Sequence, residues 1–377
     1  MTEFRFIHSA DLHLGRRFGN MPEEVRGRLV EARHEALAAL ADAARSHGAQ
    51  HLLIAGDLFD TETPSDPVWR QALNAMASDP TLQWWIIPGN HDSLAAEALW
   101  ARLGELAREN VHLLTAAAPC KMAGGVTLLP TPCRRRRAAE DPTAWMPEAE
   151  TSDGHLRIGL AHGGVHDFGS EDGDAAVIAP DRAETARLDY LALGDWHGHV
   201  RIGERTHYSG TPERDRFRHS GCGVCLAVTL PGPGAPPVVE EIRTGRFEWG
   251  TVELSLTPEQ DPLEALERVL PAKGPARRDT LLRLICTGWA RLPHRVELSG
   301  AVSAAAPEFC HLEYDDGQLG TEYQAEHLDE IDSRGALRLA AEGLLAEAQD
   351  PVHDQEQRKV AEAALNRLYS LVRERAE

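Results

Sequence analysis

No apolar run in this 377-residue chain approaches the ~20 residues needed to span a bilayer. The first residues turn strand-like almost at once and lack the basic-then-apolar layout of a secretory signal. Those two absences lead to the expectation of a cytoplasmic protein with no membrane partner. Positive charge is scarce: 39 Lys and Arg stand against 59 Asp and Glu, for a net charge of −20. That balance excludes nucleic-acid binding driven by overall charge, but leaves room for a local basic track or a polyanion held through metal ions. Cysteine is sparse and scattered, at Cys120, Cys133, Cys222, Cys225, Cys286 and Cys310. Only Cys222 and Cys225 form a C-x-x-C, inside an apolar stretch with no second pair or His-x-x-x-His nearby. Buried reduced thiols are expected there rather than a zinc site. No internal repeat is present.

What the chain does have is alternation. Over the first ~245 residues, strand-like and helix-like stretches follow one another, the pattern of a layered α/β domain. Helical spacing covers 27–46, 66–77 and 94–108. Further strands are expected at 125–130, 205–209, 222–230 and 237–243, and their succession without helices suggests a second, more antiparallel sheet packed on the first. A domain boundary is expected near Thr244-Gly245. Beyond it, 249–257, 280–287 and 308–314 read as strands and 261–270 and 292–305 as helices, a small α+β domain over 246–328. The segment 329–377 reads as helical, with Ala361, Leu365, Leu368 and Val372 on one stripe.

Five short apolar runs each end in a residue able to hold a metal ion. Residues 4–10 lead into Asp11 and His13, and 51–55 into Gly56-Asp57. Residues 83–88 lead into Gly89-Asn90-His91-Asp92, 156–161 into His162, and 190–193 into Gly194-Asp195-Trp196-His197-Gly198-His199. In open α/β sheets ligands gather at the carboxyl ends of strands. Spacing by two in extended chain sends Asp11 and His13, or His197 and His199, to one side. The donor set is Asp, Asn and His without thiolate, which suits Mn²⁺, Fe or Zn²⁺ better than Ca²⁺ or structural zinc. A carboxylate such as Asp57 can bridge two cations, and two cations together can drive in-line phosphoryl displacement.

These ordered motifs resemble those of the calcineurin-like metallophosphoesterases. SADLHLG at 9–15, GDLFD at 56–60, GNHD at 89–92 and YSGTPE at 208–213 are most similar to the DNA repair exonuclease branch, the SbcD-type nuclease subunits. The resemblance implies a four-layer α/β/β/α sandwich over 1–245, followed by a small α+β capping domain and C-terminal helices. It also implies one metal on Asp11, His13, Asp57 and His199 and a second on Asp57, Asn90, His162 and His197. Mn²⁺ is the expected metal at both positions, with Fe or Zn²⁺ as alternatives. His91 would then contact the phosphate, with the Asp60 carboxylate orienting it. Asp92 and Asp195 are left with two readings, as partners that hold a ligand histidine or as turn residues.

The resemblance further implies a two-metal DNA nuclease, an exonuclease with endonuclease activity, in end processing and double-strand-break repair. Arg16, Arg17 and the run Arg134, Arg135, Arg136 and Arg137 are candidates to contact a phosphate backbone, as are Arg214, Arg216 and Arg218; the other reading is a solvated charged surface. The expected partners are DNA and an SMC-like ATPase (SbcC-type), the latter through the C-terminal helices, which could instead pack on their own chain. A homodimer through 66–77 and 94–108 is a further expectation. Two rival functions remain open from sequence: a small-molecule or cyclic-nucleotide phosphodiesterase or phosphatase on the same scaffold, and a non-enzymatic subunit.

Overall fold

The computed structural model describes residues 3–122, 124–136, 140–166, 177–323, 325–332 and 334–376. From the N-terminus, β1 (Phe4–Ser9), α1 (Glu23–Ser46), β2 (His51–Ala55), α2 (Asp66–Ala77), β3 (Gln83–Ile87), α3 (Glu97–Leu106) and β4 (Val111–Leu113) alternate. The four strands pair in parallel, with Phe6 opposite His51 and Ala55 opposite Ile87. The central strands β2 and β3 are apolar on both faces, as parallel strands covered on both sides must be. Leu52, Ile54, Trp84 and Ile86 pack beneath the helices, against Leu37, Leu40, Trp69 and Leu73. Leu53, Ala55, Trp85 and Ile87 point the other way, into a second sheet.

That second sheet holds β5 (Cys120–Lys121), β6 (Val126–Thr131), β7 (Leu156–His162), β8 (Tyr190–Gly194), β9 (Val200–Arg201) and β10 (Thr206–Tyr208), with the short α4 (Arg182–Thr185) before β8. β6, β7, β8 and β10 run parallel, and only the edge strands β5 and β9 are antiparallel. Its outer face is covered by Met146, Val165, Ile178, Ala183 and Leu188. The result is four layers. The expected antiparallel second sheet is therefore corrected. β11 (Val224–Leu230) and β12 (Val238–Arg243) return to the first sheet, β11 beside β1 and β12 at the edge. Strands in sequence without helices between them mark a change of sheet here, and their antiparallel pairing falls at the edge of the first sheet, β11 with β1 and β12 with β11.

The chain divides into two units, Met1–Trp249 and Gly250–Glu377. The first extends past the expected boundary at Thr244-Gly245. Glu213 accepts hydrogen bonds from the backbone N–H groups of Arg246 (2.6 Å) and Phe247 (3.2 Å), and Trp249 bonds both ways to Gly221 and packs edge-on against Phe217. In the second unit β13 (Glu248–Leu256), β14 (Thr280–Arg291) and β15 (His311–Glu322) form a three-stranded sheet, with β14 and β15 parallel. α5 (Pro262–Val269) and α6 (Leu292–Ala305) pack on it through Leu266, Leu298 and Val302. α7 (Ala325–Ile331), α8 (Ala336–Gln349) and α9 (Gln355–Ala376) complete the unit. Leu292 of α6 shares a core with Leu328, Ile331, Ala341, Leu365 and Tyr369. The segments 246–328 and 329–377, expected as separate, are thus joined by one apolar core. The stripe of α9 expected to face a partner is largely turned inward: Ala361 and Leu365 are buried, and Leu368 and Val372 are partly so. Among the described residues no helix is long and apolar enough to cross a membrane.

Candidate metal centre

The parallel register brings the carboxyl ends of β1, β2, β3, β7 and β8 to one edge. His162, the last residue of β7, lies opposite Gly194, the last of β8. The two sheets approach so closely there that side chains are excluded. A Cβ on Gly194 would overlap the Ala55 carbonyl oxygen, and one on Gly56 would overlap the His162 ring. At this edge the backbone takes rare conformations. Asp11, His13, Asp57 and Asp195 all have positive φ, at 55°, 45°, 52° and 104°. Non-glycine residues persist there only when their surroundings enforce it, and such residues cluster at functional sites. The enforcement is visible in the main chain: the N–H groups of Asp11, His13 and Leu14 donate to the carbonyls of Gly56, Asp57 and Leu58 at 3.1, 3.0 and 2.9 Å.

Asp57 stands at the centre. One carboxylate oxygen, Oδ2, lies 3.7 Å from His13 Nε2 and 3.6 Å from His162 Nε2. The other, Oδ1, accepts the His91 N–H at 2.8 Å. His13 Nε2 faces His197 Nε2 at 3.2 Å, and Asp11 completes a triad with those two rings. On the other side Asp11, Asp57 and His162 form a second triad, with Asn90 Oδ1 3.3 Å from His162 Nε2. A third triad joins His13, Asp60 and His91.

Two of the imidazoles are fixed from behind. His162 Nδ1 donates to the Ala55 carbonyl at 2.8 Å, and His197 Nδ1 to Asp215 Oδ1 at 3.1 Å. These acceptors set the tautomers, so each Nε2 presents a lone pair to the site. Burial pushes the Asp11 and Asp57 carboxyls well above the usual carboxylate range, and neighbouring carboxylates add to it: Asp57 and Asp195 for Asp11, Asp92 and Asp195 for Asp57. Burial, followed by His197 and Arg33, holds His13 well below the ordinary histidine value. Imidazole nitrogens thus converge with carboxyl groups whose ionised form burial and like charge disfavour, an arrangement that dications relieve. The donor set of carboxylate, imidazole and amide fits them. Cys133 adds no thiolate, since burial and the Asp57 charge push its pKa up and its Sγ–H donates to the His162 carbonyl at 3.5 Å.

Of the residues singled out from sequence, Asp11, His13, Asp57, Asn90, His91, His162 and His197 come together. His199 does not. Its Nδ1 bonds Glu241 Oε2 at 2.8 Å and its ring stacks on His207. His197, expected with Asn90 and His162, instead lies against His13. Extended geometry fails because the chain bends at His197 and Gly198. The Arg214 guanidinium and the Thr211 N–H then clasp the His197 carbonyl. The Asp60 carboxylate lies in the triad with His91, but the backbone carbonyl of Asp60 makes the bond to the ring. His91 Nδ1 bonds the Asp60 backbone carbonyl at 3.0 Å, while the carboxylate faces Arg16 (3.4 Å) and His13 Nδ1 (3.5 Å).

Asp92 resolves as a latch between loops. Its two oxygens accept the N–H groups of Gly89 (2.7 Å) and Phe59 (3.0 Å). Asp92→Ala leaves both buried donors without that acceptor and should lower the unfolding free energy by about 1–3 kcal/mol. Chemical denaturation checks this; an unchanged midpoint would mean that the donors find other acceptors.

Two residues went unseen in the sequence, Arg33 and Asp215. Arg33 on α1 is buried and bonds the carbonyls of Leu12 and Glu213. Its guanidinium lies 3.5 Å from Asp215 Oδ2, and Arg16 reaches the same oxygen at 3.1 Å. His197 and these two arginines hold the Asp215 carboxyl well below its ordinary value against the opposing effect of burial. The signal for Arg33 was its position on the stripe Leu29, Ala32, Ala36, Leu37 and Leu40 of α1, all buried. Among the basic candidates, Arg214 is buried, Arg216 pairs with Asp215 and Arg218 lies over the Trp196 ring. Arg17, Arg134, Arg135 and Arg136 are exposed, and Arg137 lies outside the described residues. Arg134 and Arg135 line a cavity of about 600 Å³ together with His162, Cys133 and Trp145.

Acid, amide and imidazole donors gathered at parallel strand ends between two sheets, with the Asp11 carboxylate common to two of the triads, form a centre suited to divalent cations. Residues 4–212 match the calcineurin-like phosphoesterase family, and the chain belongs to it. It is 29% identical over 208 residues to an uncharacterised metallophosphoesterase, YhaO, of Bacillus subtilis (strain 168), a match covering 52% of this chain and 49% of that protein. Over 115 residues it is 35% identical to the SbcD component of the nuclease SbcCD of Rhodobacter capsulatus, covering 29% and 26%. The chain therefore spans about half the length of the first relative and about a quarter of the second. Among solved structures, TT1561 of Thermus thermophilus aligns with a TM-score of 0.42 at 12% identity, over 64% of this chain and 100% of that one. A dimetal phosphatase from Danio rerio aligns with a TM-score of 0.37 at 12% identity, over 63% and 98%.

Proposed function

We propose that this phosphoesterase is a DNA nuclease, an exonuclease with endonuclease activity that uses two divalent cations, Mn²⁺ foremost, in DNA end processing and double-strand-break repair. The observation that carries the reading is the Asp57 carboxylate set between the His13 and His162 nitrogens, with the SbcCD-like stretch supplying the substrate class. One cation would be held by Asp11, His13, Asp57 and His197, and the other by Asp57, Asn90 and His162. When bound, such a pair supplies Lewis-acid charge to phosphoryl oxygens and lowers the pKa of water. The chain's own residues do the rest. Asp57 holds the His91 N–H, and the Asp60 carbonyl fixes the His91 Nδ1–H, which orients the ring for the phosphate. Asp215, itself held by Arg33 and Arg16, aims His197 inward. Arg134 and Arg135, on the cavity that His162 also lines, offer contacts to a phosphate backbone.

The same reading gives the second unit a partner of the SMC-like ATPase kind. Leu337, Leu339, Val352, Val360 and Leu371 remain exposed there and support a helix-mediated contact. A homodimer through α2 and α3 would use their outer faces, because Trp69, Leu73, Met76, Leu99 and Leu103 are spent on their own core.

The test uses end-labelled duplex and single-stranded DNA beside bis(p-nitrophenyl) phosphate, with Mn²⁺, with EDTA, and with Mn²⁺ restored. The expected result is DNA cleavage that EDTA abolishes and Mn²⁺ restores. Hydrolysis of the small diester with intact DNA would sink the nuclease reading and leave a small-molecule phosphodiesterase.

A further inference from the structure

We infer that Asp195 supplies the remaining protein ligand of the Asn90–His162 cation, making that position oxygen-rich and the two halves of the centre chemically unequal. This rests on the two-metal reading above. His162 Nε2 has three oxygens around it: Asn90 Oδ1 at 3.3 Å, Asp57 Oδ2 at 3.6 Å and Asp195 Oδ1 at 3.9 Å. Ligands bonded at about 2.1 Å to one cation stand roughly 3.0–3.5 Å from one another. The Asn90 and Asp57 oxygens are already near that spacing, and Asp195 needs only a small closing movement.

The backbone aims Asp195 inward. Its N–H donates to both Asp11 carboxylate oxygens at 3.2 Å, its φ of 104° turns the chain at the end of β8, and the residue is buried. His199, the other donor in the segment, is drawn away by Glu241 and His207.

The asymmetry follows from the donors. The His13 side has two imidazoles, His13 and His197, with Asp11 and Asp57. The His162 side has one imidazole with two carboxylates and an amide. Nitrogen-rich sites favour Zn²⁺, whereas oxygen-rich ones suit Mn²⁺ and Mg²⁺. Mixed-metal loading is the consequence, with Zn²⁺ exchanging first into the His13 side.

Titration calorimetry with Mn²⁺, with electron paramagnetic resonance counting bound ions, tests this on the full chain. Wild type should bind two ions, and His199→Ala should bind two with unchanged affinity. Asp195→Asn keeps the side-chain shape and tolerates positive φ. It should keep one tight ion and weaken the other by at least tenfold, with its circular dichroism spectrum and melting temperature reporting that it folds. Asp195→His should shift that position toward Zn²⁺ over Mn²⁺ by at least tenfold in competition. Two ions at wild-type affinity in Asp195→Asn, or loss of one in His199→Ala, would overturn the assignment of Asp195. If Asp195→Asn does not fold, the Zn²⁺ competition in Asp195→His decides alone, an unchanged preference counting against it. Fewer than two ions in wild type would instead overturn the two-metal reading, and this inference with it.

Discussion

Replacing His91 with alanine should lower kcat by about 10²–10⁴-fold while calorimetry still finds two bound Mn²⁺ ions. The separation of the two readouts is the point. His91 is anchored by its N–H to Asp57 and its Nδ1 to the Asp60 carbonyl, so its ring is positioned by neighbours that stay in place when it is cut back. Its edge contact with His13, at 4.8 Å between ring centres, puts it beside the centre. A His91→Ala protein that cuts phosphodiesters at the wild-type rate would end its assignment to the reacting phosphate. One that loses an ion would make His91 a ligand, as its triad with His13 and Asp60 also allows.

Asp57→Asn should be more damaging still. Oδ2 stands within 3.7 Å of both His13 and His162 nitrogens, so one substitution strikes both cation positions. Losing the bridging charge should remove both ions at micromolar Mn²⁺ and bring turnover to the level seen with EDTA. The amide keeps an acceptor for the His91 N–H, and relief of the buried charge leaves folding intact, so the melting temperature without metal should hold or rise. Retention of one ion at wild-type affinity would show that Asp57 serves a single position.

Much of this site was legible because parallel strands buried on both faces write themselves as short apolar runs, and the turn that ends each run must carry glycine or a polar residue. Gly56-Asp57 and Gly89-Asn90-His91-Asp92 lie where such runs stop. What was misread depended on local backbone geometry. Taking His197 and His199 as a matched pair assumes extended chain, and the bend at His197-Gly198 sends them apart. Asp60 was assigned by its carboxylate when its carbonyl holds His91, a distinction that residue identity cannot carry. Asp215 looked like any acidic residue in a charged loop, because its partners are Arg33, on a helix far off in sequence, and His197, in a separate loop. In the second unit, β14 and β15 run on to Arg291 and Glu322, beyond the expected 287 and 314. Those extensions, rich in glycine and charge, lack the alternation that marks a strand and are held by the neighbouring strand instead.

The main-chain bonds that tie the Asp11 loop to the Asp57 loop carry a consequence for how such a centre can change. The scaffold is stitched by peptide groups, which every residue but proline supplies, while the metal sees only side chains. Alignment of the loops and choice of donor atom are thus separate degrees of freedom. A donor can be exchanged within that stitched edge, as His162 and Asp195 could be by ligands of similar reach, and the change would register as altered metal preference rather than as collapse. The strand ends behave as a socket whose contacts can be re-plated one at a time.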